Sequence, residues 1–152
     1  MTLTDPPLRD RFWTLPLGQL NSREWEALCD GCGRCCLVKL EDEDSGEVVF
    51  TDLSCRYLDT RRCRCQVYAQ RRRKVPGCLQ VTEEMARSDW LPASCAYRLR
   101  AEDKPLPEWH PLLSGDPGSV RAAGISVAGR VVPENRVAER DWEDHVIHWV
   151  EN

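Results

Sequence analysis

The chain has 152 residues, of which 41% are hydrophobic and 30% charged, so it is long enough for one globular domain with its own core. Its longest apolar runs are only a few residues, against the roughly 20 that a membrane-spanning helix needs. Its net charge of −4 disfavours a nucleic-acid partner, which calls for a basic footprint. The first residues lack the basic patch and apolar run of a secretory signal, so we expect a cytoplasmic protein with no membrane association.

Proline marks the N-terminal region. Pro6, Pro7 and Pro16 predict an irregular arm over residues 1–20 that docks through Trp13, followed by a single domain over residues 21–152.

A short helix is predicted to begin at Asn21, whose side chain can accept a hydrogen bond from the first helical turn. Glu24 follows three residues later, as in a capping box. The helix would deliver Cys29 to a thiol-rich loop and end at the glycine Gly31.

The residues after that loop predict a β-hairpin. Leu37–Leu40 and Glu47–Phe50 are β-prone runs, and they flank the acidic stretch 41–46. The acidic stretch lacks the ligand spacing of a calcium loop, so we interpret it as a solvated turn.

Basic residues are concentrated between Cys55 and Cys78. This stretch of 24 residues contains eight Arg and Lys residues and one acidic residue, Asp59, which gives it a net charge of +7 (8 − 1). This stretch fits a nucleic-acid patch, but compensation of nearby thiolate charge fits better, because guanidinium groups offset anionic sulfur.

The C-terminal half predicts short elements and much irregular chain. The pattern predicts a capped helix over Thr82–Ser88 and an ordered loop over residues 101–118. Short strands are predicted at Gly124–Ala128 and Arg130–Val132. A terminal helix is predicted from apolar residues that recur at helical spacing: Trp142, Val146, Trp149 and Val150. The expected fold is therefore a small, loop-rich, single-domain α+β structure stabilised by a metal-binding cysteine cluster.

The number and spacing of the cysteines indicate that they bind a metal. Nine is an odd number, and thiols stay reduced in the cytosol, so a disulfide scaffold is disfavoured. Thiolate is a soft ligand suited to zinc or iron. The spacing Cys29-x2-Cys32-x2-Cys35 is typical of a segment that binds a [4Fe–4S] cluster with three cysteines, the fourth thiol coming from elsewhere in the chain. Zinc sites are usually built from two pairs of cysteines instead.

The remaining thiols suggest a second site. Cys36 would point away from Cys35 in extended chain, and Cys63 and Cys65 would face the same way and share an ion. Two four-thiol sites use eight cysteines and leave one bridging or free, and three zinc ions sharing nine thiolates is another arrangement. For Cys95, the sequence supports a metal ligand and a small buried hydrophobic residue equally. The candidate metal ligands are Cys29, Cys32, Cys35, Cys36, Cys55, Cys63, Cys65, Cys78 and Cys95.

The three histidines stay open as ligands. His145 and His148 lie one helical turn apart and could chelate, but Asp141 and Asp144 explain them equally well as ion pairs. His110 could complete a site or donate to a backbone carbonyl.

The sequence therefore predicts a cytoplasmic metal-binding protein that holds iron, as an iron–sulfur cluster of the [4Fe–4S] type, or zinc. An iron–sulfur redox or electron-transfer protein and a zinc-stapled interaction module are the alternatives. Motifs such as Gly-x-Ser-x-Gly, the phosphate loop and His-Glu-x-x-His are absent, so no catalytic residue is assigned. If the protein is an enzyme, an iron–sulfur oxidoreductase is the class expected; no protein partner is indicated.

The chain also resembles a known family, the bacterial CxxCxxCC cysteine-cluster proteins described as zinc- or iron-chelating, and especially their YcgN-like branch. The resemblance rests on the segments 24–37, 55–58, 63–68, 90–98, 109–115, 125–127 and 141–145, and on Cys78. It implies a core ligand set common to the broader family, namely Cys29, Cys32, Cys35, Cys36, Cys55, Cys65 and Cys78. Cys63 and Cys95 are additions of this branch, and the family implies no activity.

Overall fold

The predicted hairpin forms the centre of the main sheet. The computed structural model describes residues 7–76, 78 and 81–151. Strand β1 (Leu37–Glu41) pairs antiparallel with β2 (Val48–Ser54), and β2 pairs in parallel with the short β5 (Val132–Pro133). A second, two-stranded sheet joins β3 (Leu58–Asp59) to β4 (Arg64–Cys65). The hairpin prediction is confirmed.

The predicted N-terminal helix is also present, as α1 (Ser22–Ala27). Asn21 Oδ1 accepts a hydrogen bond from the Glu24 N–H at 2.9 Å, and Glu24 Oε1 accepts one from the Asn21 N–H at 3.0 Å. This reciprocal capping box satisfies two backbone donors that the first turn would otherwise leave unpaired.

The other helices of the described chain are short, which leaves much of the molecule as ordered loop. The α-helices are α2 (Arg71–Lys74), α3 (Ala96–Ala101), α4 (Pro111–Ser114) and α5 (Ser119–Ala122). The 3₁₀ helices span Phe12–Thr14, Leu17–Gln19, Arg34–Cys36, Tyr68–Gln70, Met85–Arg87, Glu134–Arg136 and Glu139–His145. The small α+β fold expected from the sequence is confirmed, although the helix predicted at Thr82–Ser88 is only a 3₁₀ turn.

Two hydrophobic cores hold the chain together. The first core lies under α1 and α3 and contains Leu17, Leu28, Ala86, Leu91, Ala96, Tyr97 and Leu106. The second core lies against the sheet and contains Leu37, Phe50, Leu58, Cys63, Val127 and Val150. Nonpolar burial of this kind stabilises a fold by about 25 cal/mol per Å² removed from water.

The described part of the N-terminal region packs on the first core. Phe12 is 2% exposed, and Trp13 meets it edge to face and lies partly buried against the first core. Arg9 forms a 2.6 Å ion pair with the buried carboxylate of Glu24. Both contacts tie this segment to α1; a boundary at residue 20 stays a prediction.

The predicted C-terminal helix is wrong. A 3₁₀ helix ends at His145, and Val146 then forms an antiparallel bridge with Thr51. The Ile147 N–H donates to the Phe50 carbonyl at 2.9 Å. Of the residues that suggested a helix, Val146 pairs with β2, while Trp149 and Val150 pack in the second core. Backbone partners on β2 override the helical spacing.

The strand predicted at Gly124–Ala128 is absent as well. Gly124 has a left-handed φ of 75°, and the turn around it delivers Val127 to the cysteine-rich loop instead. The run Arg130–Val132 contributes to a strand only through Val132. Among the described residues, the helices found are too short or too polar to cross a bilayer.

Candidate metal centre

The cysteine-rich loop, residues 29–36, joins the two cores. Leu28 is fully buried in the first core, and Leu37 is 3% exposed in the second. Gly31 and Gly33 have left-handed φ angles of 74° and 78°, which glycine adopts without the strain of a side chain. These turns fold four thiols into a short stretch whose two ends are fixed by packing.

Gly33 has a second reason to lack a side chain. A Cβ built there would overlap Cys63 Sγ. The thiol of Cys63 thus occupies the space that a larger residue at 33 would need.

Backbone N–H groups of the loop point at sulfur. The Gly31 N–H donates to Cys29 Sγ, and the Arg34 N–H donates to Cys32 Sγ, both at 3.4 Å. Such bonds favour the anionic thiolate over the neutral thiol, as a metal ligand requires.

Four thiols form what we call the first thiol group: Cys29, Cys32, Cys35 and Cys95. Desolvation raises the pKa of Cys29 to about 12, helped by the charges of Cys35 and Cys95. Desolvation likewise raises the pKa of Cys95 to about 12, with a further contribution from Cys35. The pKa of buried Cys32 is raised for the same reason, with smaller contributions from Asp30, Cys35 and Cys29. The group therefore joins three loop residues to a cysteine from the start of α3.

Four other thiols form the second thiol group: Cys36, Cys55, Cys65 and Cys78. The hydrogen bond to Cys35 and burial both raise the pKa of Cys36, and the charges of Cys35, Cys55 and Cys65 raise it further. Desolvation raises the pKa of Cys78, and the charges of Cys55 and Cys65 add to it. The Cys55 N–H donates to the Cys36 carbonyl at 2.8 Å, and Cys65 lies on β4 opposite Leu58. Residues distant in sequence thus surround Cys36.

The two groups meet at Cys35 and Cys36, which do not point fully apart. The backbone there is a 3₁₀ helix rather than extended chain, so the prediction based on extended geometry is wrong. A side-chain hydrogen bond from Cys36 lowers the pKa of Cys35 and raises that of Cys36. The adjacent pair is the contact between the groups.

Cys63 and Cys65 do not face the same way, which corrects a second expectation. Cys63 has a left-handed φ of 59°, so the chain is not extended between them. Cys63 Sγ donates to the Cys32 carbonyl at 3.0 Å, and the Val127 N–H donates to that same carbonyl at 3.0 Å. Cys63 therefore packs in the second core behind the loop, while Cys65 joins the second thiol group.

Cations lie beside the second group. Lys39 Nζ donates to the carbonyls of Cys35 and Leu37, each at 3.0 Å. The positive charge of Arg71 opposes the raised pKa of Cys78, and that of Arg56 opposes the raised pKa of Cys55. These contacts agree with the interpretation that basic residues offset thiolate charge.

The arginines and lysine that flank those contacts are exposed: Arg61, Arg62, Arg64, Arg73 and Lys74. Only part of the basic stretch therefore acts on the thiols.

Asp30 was missed by sequence reasoning, which treated it only as part of the turn. Its Oδ1 accepts the Cys32 N–H at 2.9 Å. Its Oδ2 is buried and has no hydrogen-bond partner among the described residues. The only signal in the sequence was its place between two cysteines.

The thiols are the kind of donor that binds zinc or iron, but their positions do not form a coordinating set. In the part of the chain that the structure describes, no three His, Cys, Asp or Glu side chains already converge on one point as a coordinating set. The thiols are nevertheless partly desolvated, and two of them accept hydrogen bonds from backbone N–H groups.

The histidines are placed outside both groups. His110 is 1% exposed, its Nδ1 accepts the Leu112 N–H at 3.0 Å, and its Nε2 lies 2.8 Å from the Leu28 carbonyl. Nε2 thus holds the end of α1, and Nδ1 caps the start of α4. His145 Nδ1 lies 2.8 Å from Asp52 Oδ1, and His148 is exposed.

This arrangement matches a class of cysteine-rich chelating domains. The CxxCxxCC family profile, whose description is "Putative zinc- or iron-chelating domain", matches residues 28–96. The chain is 57% identical to a UPF0260 protein of Marinobacter nauticus over 141 residues, which cover 91% of this chain and 95% of that protein.

Other relatives agree. A UPF0260 protein of Rhodobacter capsulatus is 54% identical over 92% of this chain and 95% of its own length, and one of Azotobacter vinelandii is 55% identical over 90% and 93%. The chain belongs to the UPF0260 family, and the resemblance to the cysteine-cluster proteins is confirmed. Metal binding is supported by that membership. No solved structure matches the chain.

Proposed function

We propose that this protein holds iron, as an iron–sulfur cluster, through the first thiol group. The carrying observation is the composition of that group: three cysteines at x2-x2 spacing, with Cys95 brought to them from α3. Three thiolates from one run and a fourth from elsewhere is a common way for a chain to hold a [4Fe–4S] cluster. When bound, such a cluster supplies a one-electron redox centre or a store of iron.

The second thiol group supports a separate tetrathiolate site. Cys36, Cys55, Cys65 and Cys78 come from four parts of the chain, so a metal there would cross-link them. Four thiolates suit zinc or a second cluster. A zinc tetrathiolate keeps a charge of about −2, which Lys39 and Arg71 are placed to offset.

Anaerobic purification followed by elemental analysis and a visible absorption spectrum tests this proposal. We expect brown protein with acid-labile sulfide and about four iron atoms per chain in the first group. Zinc in addition to iron assigns the second group to zinc, and extra iron assigns it to a second cluster. Colourless protein with zinc alone overturns the iron proposal, and protein without either metal overturns ligation.

Electron transfer is the second candidate, because the loop edge is accessible. Cys29 and Cys35 are exposed residues, so a cluster beside them would lie near the surface where a partner can exchange electrons. A reversible one-electron potential measured on the purified protein supports this candidate, and an electrochemically silent iron protein opposes it. We place either activity in the cytoplasm, where thiolates stay reduced.

A further inference from the structure

The turn between β3 and β4, residues 59–64, gathers positive charge at the surface. Arg61, Arg62 and Arg64 are exposed side chains of this turn, which we call the arginine turn. Asp59 is its one acid, and Asp59 Oδ1 accepts the backbone N–H groups of Arg61 and Arg62 at 2.9 and 3.0 Å. Among the described residues, none of the three guanidinium groups forms an ion pair.

A fourth arginine is brought to the turn from a segment distant in sequence. Arg121 lies on α5 and is exposed, and its Nη2 donates to the Arg61 carbonyl at 3.1 Å. Within the part of the chain that the structure describes, Arg121 forms no ion pair either. Like charges held close together repel one another, so an anion from outside the chain would find four cations already assembled.

Arginines elsewhere in the molecule show the contrasting arrangement. Arg9 pairs with Glu24 at 2.6 Å, and Arg98 pairs with Glu102 at 3.1 Å. Those guanidinium groups are used to hold one part of the fold to another. The guanidinium groups of the arginine turn keep their donors directed at solvent.

The arginine turn is held against the cysteine-rich loop. The Gly129 N–H donates to the Thr60 carbonyl at 2.8 Å, and Cys63 Sγ donates to the Cys32 carbonyl at 3.0 Å. The left-handed φ of Cys63 buries its side chain, while the arginines on either side of it stay exposed. The surface is therefore preformed, which lowers the entropy that binding costs. Whatever binds the turn is connected to the loop through a single residue.

We propose that the arginine turn, together with Arg121, is a docking surface for an acidic protein partner. A guanidinium group binds a carboxylate through two parallel hydrogen bonds, and arginine is enriched in protein interfaces. This inference goes beyond the proposed function, because it depends on charges and contacts of the chain and not on which metal is bound.

The charge of the whole chain favours a protein over a nucleic acid. Outside residues 55–78 the chain carries a net charge of −11 (−4 − 7). A nucleic acid is anionic along its whole length and would be repelled by that remainder. A protein can instead present a local group of Asp and Glu side chains to the turn alone.

The test measures the affinity of the purified full chain for a fluorescently labelled oligoglutamate peptide of about ten residues, at low and at physiological salt. Arg61→Gln/Arg62→Gln removes two charges and keeps the backbone N–H groups that Asp59 accepts, so the turn should keep its shape. We expect this variant to bind the peptide roughly 10-fold more weakly than the wild type at low salt.

Arg23→Gln/Arg140→Gln is the matched control. Both side chains are exposed and lie on other elements, α1 and the 3₁₀ helix Glu139–His145, and the change in net charge is the same. The control should bind the peptide within about twofold of the wild type. If the first double variant does not fold, as judged by circular dichroism, Arg64→Gln is measured in its place, with an expected loss of roughly threefold.

The remaining outcomes overturn the proposal. Equal losses in the two double variants would mean that net charge, and not the arginine turn, attracts the peptide. A wild type that does not bind the peptide at low salt lacks the surface. A DNA duplex of about the same charge that binds more tightly, and depends on the same arginines, assigns the surface to nucleic acid. Metal content is determined separately on the same protein, so failure of this proposal and failure of the proposed function are distinguishable.

Discussion

The two thiol groups use the same kind of donor in opposite surroundings. The first group is joined by a carboxylate, Asp30, whose charge adds to the effect of burial in raising the pKa of Cys29 and Cys32. The second is bordered by cations, among them Arg56 and Arg71. The contrast teaches that neighbouring charge, more than ligand type, distinguishes the two sites. A metal in the first group has to balance more negative charge from the protein than one in the second.

Removing a ligand from the first group should have the largest effect. Cys32→Ser should abolish metal binding there, since a hydroxyl is a poor substitute for thiolate. Structural metal binding is worth on the order of 10 kcal/mol in small domains, comparable with the whole stability of a domain. We expect elemental analysis to show loss of iron and the circular dichroism spectrum to become that of an unfolded chain.

Cys63→Ser is the control for that loss. The serine hydroxyl can keep the hydrogen bond to the Cys32 carbonyl, so metal content should match the wild type. A loss of metal equal to that of Cys32→Ser would show that Cys63 is a ligand.

Gly33→Ala should come next, because it deforms the loop that serves both groups. The left-handed φ costs a non-glycine residue about 1–2 kcal/mol, and overpacking against Cys63 Sγ costs about 1–3 kcal/mol more. Denaturant unfolding should therefore show a midpoint well below that of the wild type.

The double variant Gly33→Ala/Cys63→Ala separates these causes. It should recover the part due to the conflict with Cys63 Sγ, relative to Cys63→Ala alone, and leave the parts due to φ and to the 2.8 Å approach to Val127 Cγ2. No recovery would mean that the contact at residue 63 is not what limits position 33.

Lys39→Met sharpens the comparison of charges. Loss of the ammonium group leaves thiolates of the second group less compensated, so metal should be released to a chelator roughly 10-fold faster. Lys74→Met, on an exposed lysine of the same type, is the control and should leave the rate unchanged. Equal effects of the two substitutions would point to net charge rather than to the place of Lys39.

The smallest effect is expected from Glu24, the acid that anchors α1. The hydrogen bond and charge of Arg9 lower the pKa of Glu24 to about 2 from its usual 4.5. Because the folded-state pKa lies below the unfolded one, this stabilisation is complete above about pH 4.5 and is lost as the pH falls through about 2.

Glu24→Gln should flatten the dependence of thermal stability on pH within that window. The measurement is a series of thermal melts of wild type and variant between pH 2 and 5. Parallel curves would show that the Arg9 pair contributes nothing to the acid sensitivity of the fold.

Local patterns in the sequence were sufficient for α1 and the hairpin. The capping residues Asn21 and Glu24 act within one turn, and the hairpin strands are joined by a short connection, so neighbours in sequence decide both. The segment after His145 failed because its partner, Thr51, is almost a hundred residues away. Helical spacing of Trp142 and Val146 carried no information about that sheet edge.

The site shows the same division. The thiols of the loop were identifiable from spacing alone. The separation of Cys63 from Cys65 was not, because it depends on a left-handed φ at a non-glycine residue. The position of Cys95 depends on where α3 begins, and the lack of a partner for Asp30 Oδ2 among the described residues depends on its burial, so neither could be read from spacing.

The position of the loop between the cores has a mechanical consequence. Leu28 belongs to one packed half of the molecule and Leu37 to the other, so the segment between them is a joint. An inorganic ion seated in that joint would make both halves melt as one cooperative unit. Stripping it would let each half open independently, which amide exchange could detect as two protection levels in place of one.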